Sequence, residues 1–508
     1  MFTKKALIPF LLFLVFFSAM AMIQFATPDM PDNDGFYHIK LAWLMRTESL
    51  KPEFDWLPLT ILNAEEFYDH HFLYHVFLIP FTFGDLRLGA KWVAVFFSSL
   101  AFLSVWYLFH RQRVPHAWIL ALLLLGVSEA FLYRMSITRA QSLSLAMLAL
   151  GLTWLLENKN KHLAVLSFLY VWMYNAFPLM PAFAFLYCLS VLIIDHKFDF
   201  KPFLWSSAGV VAGLMINPYF PDNLIFTYHH FLPKLLDTTS IRVGNEWYPY
   251  ETETLLNNST LALFLFVSAV FGIGLTNRKM DSRTAASFLI ALMFGFMLFK
   301  SRRFIEYFPP FTLIFAAFAW APVFRKEYQL LTWSSVFKKN DNFSAKFPNI
   351  KKFLQTNIPS LVLTIMLIFG VTKNIPAVQN QISKSKPYDL YQNASIWLQN
   401  NTQAGERVFQ TDWDDFPRLF FYNIHNTYLI GLDPTYMQFY DEELYQTWVS
   451  ITRGDIEEPS KLISSLFSAH YVHTDLLHQN FIKQAQKDSG LKEVYRDDQA
   501  IIYQVTQP

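Results

Sequence analysis

Four residues just past an apolar N-terminal stretch carry obvious chemical potential: Asp29, Asp32, Asp34 and His38. Carboxylates pressed against a membrane span are costly unless they bind a cation, pair with a base or do chemistry. A second polar group follows, with Glu65, Glu66, Asp69, His70 and His71, and His75 one turn further on. Two imidazoles at i, i+4 share a helix face. With carboxylates beside them they form an oxygen and nitrogen set suited to Mg²⁺, Mn²⁺ or Zn²⁺. The alternative is an interfacial helix rich in aromatics with polar tips.

Cations gather elsewhere. Arg134 and Arg139 follow Glu129 at the ends of two consecutive apolar runs, where they can either fix helix register as a buried ion pair or face a ligand. Lys300, Arg302 and Arg303 crowd one short turn before Glu306. Three cations squeezed between two spans call for an anion; the competing reading is snorkelling, with long stems reaching to headgroups. Arg242, Glu246 and Trp247 form a last group, followed by Tyr248-Pro249-Tyr250.

The elements that must hold these groups are mostly membrane spans. Of 508 residues, 53% are hydrophobic and only 16% charged, which excludes an ordinary soluble globule. A net charge of +1 leaves no basic arm to neutralise a nucleic acid. The single cysteine, Cys188, permits neither an internal disulfide nor a cysteine metal site. Residues 6–26 read as an uncleaved anchor, because the run is longer than a usual signal core and no polar region follows. Further runs of bilayer-spanning length lie near 88–110, 117–133, 139–156, 162–177, 178–194, 203–217, 260–276, 284–300, 304–323 and 358–373. Residues 72–83 form a shorter, re-entrant or interfacial segment. The total is about eleven transmembrane helices.

Charge placement orients them. Lys4 and Lys5 put the N-terminus in the cytoplasm, and alternation then places inside the loops bearing Arg111 and Arg113, Lys159 and Lys161, Lys197 and Lys201, and Arg278, Lys279 and Arg283. The basic connection after residue 323 is also inside. Loops 27–87 and 218–259 fall outside, together with everything after residue 374. No fixed-period repeat and no matching pair of broken helices is legible, which counts against a secondary transporter.

From residue 385 the pattern changes. Short apolar strands at 407–411, 427–430, 470–474, 492–495 and 500–505 alternate with helical stretches at 388–401, 442–452, 459–467 and 476–487, the pattern of an α/β domain. The predicted organisation is a transmembrane domain over 1–376 and an extracytoplasmic α/β domain over 377–508.

No Gly-rich phosphate loop, nucleophile elbow or H-E-x-x-H helix is present. Carboxylates and a cationic pocket at one membrane face suit group transfer from a phosphate-bearing lipid: cations hold the leaving phosphate and a carboxylate takes the nucleophile's proton.

This layout resembles the GT-C superfamily of membrane glycosyltransferases, and within it the oligosaccharyltransferase catalytic subunit. Asn33-Asp34-Gly35-Phe36-Tyr37-His38 is similar to that family's first-loop acidic motif, with the catalytic aspartate falling on Asp34 and Asp32 beside it. The run from Val408 to Trp413-Asp414-Asp415-Phe416 resembles the strand leading into the family's W-W-D motif, an acceptor region. Arg302-Arg303-Phe304 is similar to the superfamily's late arginine that holds the lipid phosphate, with Arg139 a further phosphate-binding candidate. Two departures stand out. Asp412 replaces the first Trp, so the acceptor need not be a protein; Arg134 and Arg139 stand where a second acidic motif is expected.

The resemblance implies a GT-C-like polytopic α-helical membrane protein, in a bacterial inner membrane, moving a sugar or glycan from a polyprenyl-(pyro)phosphate donor to an extracytoplasmic glycan, lipid or protein acceptor. His38, Asp69, His70, His71 and Glu246 are candidates for contacting substrate or a divalent metal, Mg or Mn. The competing functions are a polysaccharide polymerase, ligase or flippase, and a non-catalytic membrane assembly protein.

Overall fold

The computed structural model describes residues 4–235, 244–275, 279–325 and 348–506. Arg242, Arg278 and the basic connection over residues 326–347 lie outside the described residues. The chain divides into two compact units: residues 1–27, 92–213 and 246–384, and residues 28–91, 214–245 and 385–508.

The first unit is helical. The protein is a multi-pass membrane protein: Leu7–Gln24, Leu86–Arg111, Ser282–Lys300 and Ile358–Ile382 are each long and apolar enough to cross a bilayer. Shorter apolar helices run over Gln141–Leu156, Leu179–Asp195 and Phe308–Phe324. The helix over Phe308–Phe324 is apolar all round and buried along most of its length, as expected of a helix at the centre of a bundle.

One span expected to be continuous, near 117–133, is instead broken, and a second bend falls where the outer loop 218–259 meets the span near 260–276. Ala117–Leu125 meets Glu129–Met135 at 84°, and Thr252–Asn258 meets Thr260–Gly274 at 85°. If each bent pair is one span, up to six helices or pairs pass the length and composition test among the described residues. Local chemistry explains the breaks. Ser128 caps the second half-helix, its hydroxyl accepting from the Phe131 N–H at 3.1 Å, as serine does at helix starts. The Ser128 and Ser259 hydroxyls hydrogen-bond at 2.9 Å, and the Ala262 N–H donates to the Val127 carbonyl at 3.1 Å. Each break therefore satisfies polar groups released by the other, which a bilayer interior requires. Gly126 and Gly370 cross so closely that a Cβ on Gly126 would lie 2.8 Å from the Gly370 carbonyl carbon. Asn374 donates to the Gly126 carbonyl at 2.8 Å.

The second unit is built on a five-stranded sheet in the order β2-β1-β3-β5-β4, where β1 is Arg407–Gln410, β2 Thr427–Tyr428, β3 Tyr471–Asp475, β4 Leu491–Arg496 and β5 Ala500–Val505. β1 pairs in parallel with β2 and β3; β5 is antiparallel to β3 and β4. Alternation along the strands divides two cores. Val408, Ala500 and Ile502 pack with Phe54, Trp56, Leu398 and Phe420 on one face. Phe409, Val472, Ile501 and Tyr503 pack with Trp448, Ile463 and Phe481 on the other. Central strands buried on both faces are expected when helices and loops cover both sides.

The segment after Thr47 belongs to this unit rather than hanging free. Trp56 donates its indole N–H to the Ile424 carbonyl at 2.9 Å, and its own carbonyl accepts from the Tyr428 N–H at 2.8 Å. Two helices of the unit, Phe416–Tyr422 and Thr435–Tyr440, escape the sequence pattern because they are short and apolar with little periodicity.

Candidate functional site

Two polar constellations emerge, one in each unit. In the second unit, Asp34 opens the helix Asp34–Thr47, where a carboxylate meets the positive end of the helix dipole. Asn33, between Asp32 and Asp34, is buried and fully engaged. Its amide donates to the Asp414 carboxylate at 2.7 Å and to the Asp414 carbonyl at 3.1 Å, while its oxygen accepts from Arg418 Nε at 2.7 Å. Arg418 is 1% exposed, lies 4.4 Å from the Phe36 ring and donates to the Pro387 carbonyl at 2.6 Å. The first-loop acidic motif is thereby fastened to the Trp413-Asp414 turn. The sequence marks Asn33 only as part of the acidic motif and does not mark Arg418 at all. The clue to Arg418 was a lone cation in an apolar helix, which must find a partner if buried.

That turn accounts for Asp412 at the position where a Trp was expected. The Asp412 carboxylate accepts from the Asp414 N–H at 2.9 Å and caps the 3-10 turn Trp413–Asp415. Burial pushes the Asp414 carboxyl up to about 6, with nearby Asp412 and Asp32 adding to the rise against Lys386 and the Asn33 bond. Asp415, almost fully buried, is raised well above the carboxylate range by burial, then by Asp412 and Asp475.

The histidines form a chain. Asp69 Oδ2 is 2.7 Å from His75 Nδ1, and His75 Nε2 is 2.7 Å from His38 Nδ1; all three residues are buried. His71 sits at the N-cap of the helix Phe72–Leu78, its ring 6.0 Å from that of His75 and 5.1 Å from that of His38. His70 stacks on Phe226 at 5.1 Å. Both His75 ring nitrogens are spent, one on Asp69 and one on His38, so His75 has none left for a divalent ion. Among the described residues no group of three or more His, Cys, Asp or Glu side chains is placed to hold a metal. Glu65 and Glu66 face solvent.

In the first unit, arginines surround a carboxylate. Glu246 lies 3.0 Å from Arg134 Nη1, 3.2 Å from Arg139 Nη1 and 3.3 Å from Arg303 Nη1. Glu306 binds Arg134, including a contact to Nε at 2.7 Å. The acids that hold Arg134 and Arg139 are therefore distant in sequence. Burial alone would raise the Glu246 carboxyl, but Arg303, Arg134 and Arg139 outweigh it and hold it far below the carboxylate range. Arg303 also donates to the Tyr174 hydroxyl at 2.8 Å and lies 5.0 Å from the Trp247 ring; Tyr174 gave no sign of this role in the sequence. Arg302 donates to the Tyr248 and Pro249 carbonyls at 3.2 and 3.0 Å and faces the Tyr250 ring at 5.2 Å.

These residues border a cavity of about 380 Å³, lined by Glu129, Arg134, Glu246, Tyr250, Arg302 and Arg303 among others. Its volume is at the lower end of small-molecule sites. The half-helices Glu129–Met135 and Thr252–Asn258 contribute to its wall, so the breaks in the spans make room for it.

No protein-family model and no curated protein sequence matches the chain. Solved structures do. The apo oligosaccharyltransferase of Archaeoglobus fulgidus matches with a TM-score of 0.64 at 13% identity, over 97% of this chain and 74% of that one. ArnT from Cupriavidus metallidurans bound to undecaprenyl phosphate matches with a TM-score of 0.59 at 13% identity, over 98% of this chain and 97% of that one. The mycobacterial arabinofuranosyltransferase AftD matches with a TM-score of 0.54 at 12% identity, over 98% of this chain and 40% of that one. A mainly helical membrane unit, a small C-terminal sheet and these matches agree: the chain has the fold of the GT-C membrane glycosyltransferases.

Proposed function

We propose that the protein is a membrane glycosyltransferase that moves a sugar or glycan from a polyprenyl-(pyro)phosphate donor to an extracytoplasmic acceptor. The observation that carries the reading is the cavity bordered by Arg134, Arg302 and Arg303 in a chain with this fold. In the reaction, the acceptor oxygen forms a bond to the anomeric carbon as the bond from that carbon to the phosphate oxygen breaks. The electron pair leaves on the phosphate, and the acceptor's proton passes to Asp34. Arg303, with Arg302 and Arg139, stabilises the charge that develops on the leaving group, where fixed guanidiniums are most effective. Asp32 supports Asp34, and Trp413 and Asp414 border the acceptor. His70, His71 and Glu246 are assigned to substrate contact, and His38 and Asp69, tied to one another through His75, to positioning; no step runs through a metal. Support for a lipid-linked donor comes from structures of the same fold: an Archaeoglobus fulgidus oligosaccharyltransferase holds an inhibitory peptide and a dolichol-phosphate, and ArnT holds undecaprenyl phosphate.

The same reading sets about eleven spans in a bacterial inner membrane, a membrane domain over 1–376 and an outer domain over 377–508. A periplasm-dependent reporter fused after Pro508 is expected to be active, and one near Asn340 silent. The reverse pattern inverts the protein and defeats the assignment. The reaction is tested by feeding labelled polyprenyl-linked sugars to membranes carrying wild type or Asp34→Ala. Wild-type transfer that Asp34→Ala lacks is the expected result. Sugar transfer in neither, with lipid or polymer translocated instead, favours the polymerase, ligase or flippase reading.

A further inference from the structure

The arginine cavity is nearly charge-balanced before any ligand arrives. Of the ionisable residues lining it, Arg134, Arg302 and Arg303 face Glu129 and Glu246, leaving one positive charge. Adding Arg139 and Glu306, which pair with the lining residues, brings one charge of each sign and leaves the excess at one. Glu246 is the pivotal member. It touches three guanidiniums and stays ionised, and it lies on a short loop turn rather than within a span. Its backbone carbonyl accepts from the Ser301 hydroxyl at 2.8 Å, which anchors the turn beside the arginines.

We infer that Glu246 sets the charge of the anion this cavity accepts, selecting a donor joined through a single phosphate over one joined through a pyrophosphate. The inference rests on the phosphate-binding reading above and narrows it. A sugar linked to a lipid through one phosphate is a phosphodiester with one negative charge, and it neutralises the single excess positive charge. A pyrophosphate diester carries two and would leave net negative charge in a partly dry cavity, where uncompensated charge is penalised.

The same arithmetic governs the product. Transfer breaks the bond between the anomeric carbon and the phosphate oxygen and leaves a phosphate monoester, which carries roughly −1.5 to −2 at neutral pH. Product charge therefore exceeds what the cavity balances, and the fixed carboxylate of Glu246 pushes against it. Glu246 thus acts as a specificity-determining residue that also favours release of the lipid phosphate.

The test uses the full-length protein in detergent and three soluble probes with one tail: the methyl phosphodiester of farnesol, farnesyl phosphate and farnesyl pyrophosphate. Wild type is expected to bind the diester best. Glu246→Gln, which keeps the shape and removes the charge, is expected to tighten farnesyl phosphate and pyrophosphate by about tenfold or more while changing the diester far less, since one charge near 4 Å matters strongly at an intermediate dielectric. Glu246→Asp is expected to restore the wild-type order, and farnesyl phosphate is expected to inhibit Glu246→Gln more strongly as a product. A wild-type preference for pyrophosphate, or equal weakening of all three probes by Glu246→Gln with an unchanged unfolding midpoint, overturns the inference. Arg303→Ala separates the two readings. If it binds every probe as wild type does, the cavity is not a phosphate site at all. If it loses them while Glu246→Gln changes nothing, only the role of Glu246 falls.

Discussion

The acidic motif of the second unit and the arginine cavity of the first are both rich in ionisable groups, yet they spend them differently. In the second unit the polar atoms are consumed by one another: Asp69 by His75, His75 by His38, and Asn33 by Asp414 and Arg418. In the first unit the guanidiniums and carboxylates ring an open volume and retain an excess of charge. The contrast separates groups that fix a backbone from groups that can still receive a ligand. Substitutions in the histidine chain should register chiefly as stability, and those around the cavity chiefly as donor use.

The largest expected effect tests where Asp34 falls in that division. Asp34→Ala is expected to lower transfer by ~10²–10⁴-fold, the usual contribution of a general base, with unchanged abundance in the membrane. Near-wild-type transfer by Asp34→Asn would move Asp34 to the structural side. Next, Arg303→Ala is expected to raise the apparent donor KM by roughly tenfold to a hundredfold, the weight of a charge-assisted hydrogen bond. Arg303→Lys should recover only part of this, because an ammonium cannot reproduce the guanidinium fork. Arg302 is committed to two backbone carbonyls, so Arg302→Lys should cost less; equal losses at both positions would erase the distinction drawn between them.

Asp69→Asn probes the opposite pole. It leaves His75 with a weaker partner in a buried chain, and a loss of about 1–3 kcal/mol is expected from such an imperfectly satisfied group. Thermal unfolding with and without donor reads it out. A donor KM effect without a stability effect would show that the chain serves the ligand directly. The smallest effect is a pH dependence at Asp414. Its carboxyl is raised by burial from 3.8 to about 6, so the folded state resists ionisation that the unfolded chain accepts. Stability from this group is full below pH 4 and falls as pH rises from 4 to 6. Asp414→Asn should flatten that slope, making the variant gain on wild type as pH rises from 4 to 6. An unchanged slope would place Asp414 among the solvated carboxylates.

Much of the fold was legible because it rests on local pattern. The five strands of the sheet each overlap one of the five short apolar runs read as strands, and the apolar helices fall on the hydrophobic runs. The first break was not legible, since Gly126-Val127-Ser128 is as apolar as a continuous span and only the partner serine at 259 reveals the bend. The candidate site divides in the same way. Asp34, Arg303 and Glu246 were visible as charges out of place, but the pairing of Arg134 with Glu306 spans 172 residues and that of Arg418 with Asn33 spans 385. No spacing rule reaches so far. Asp412 was visible as a departure from a motif, and its reason, capping a turn, required the backbone.

The bond from Asn374 to the Gly126 carbonyl has a consequence in time. The two residues are 248 positions apart, and at ~5–20 residues per second a ribosome needs on the order of 10–50 s to make the intervening chain. Throughout that interval the freed carbonyl at the first break lacks its eventual donor, and the glycine crossing has nothing to cross. A nascent chain arrested before residue 374 is therefore expected to exchange amide hydrogens quickly around residues 126–131, and one released beyond it slowly. Equal protection in both would mean that another group, or the translocon itself, shelters the break until the late helix arrives.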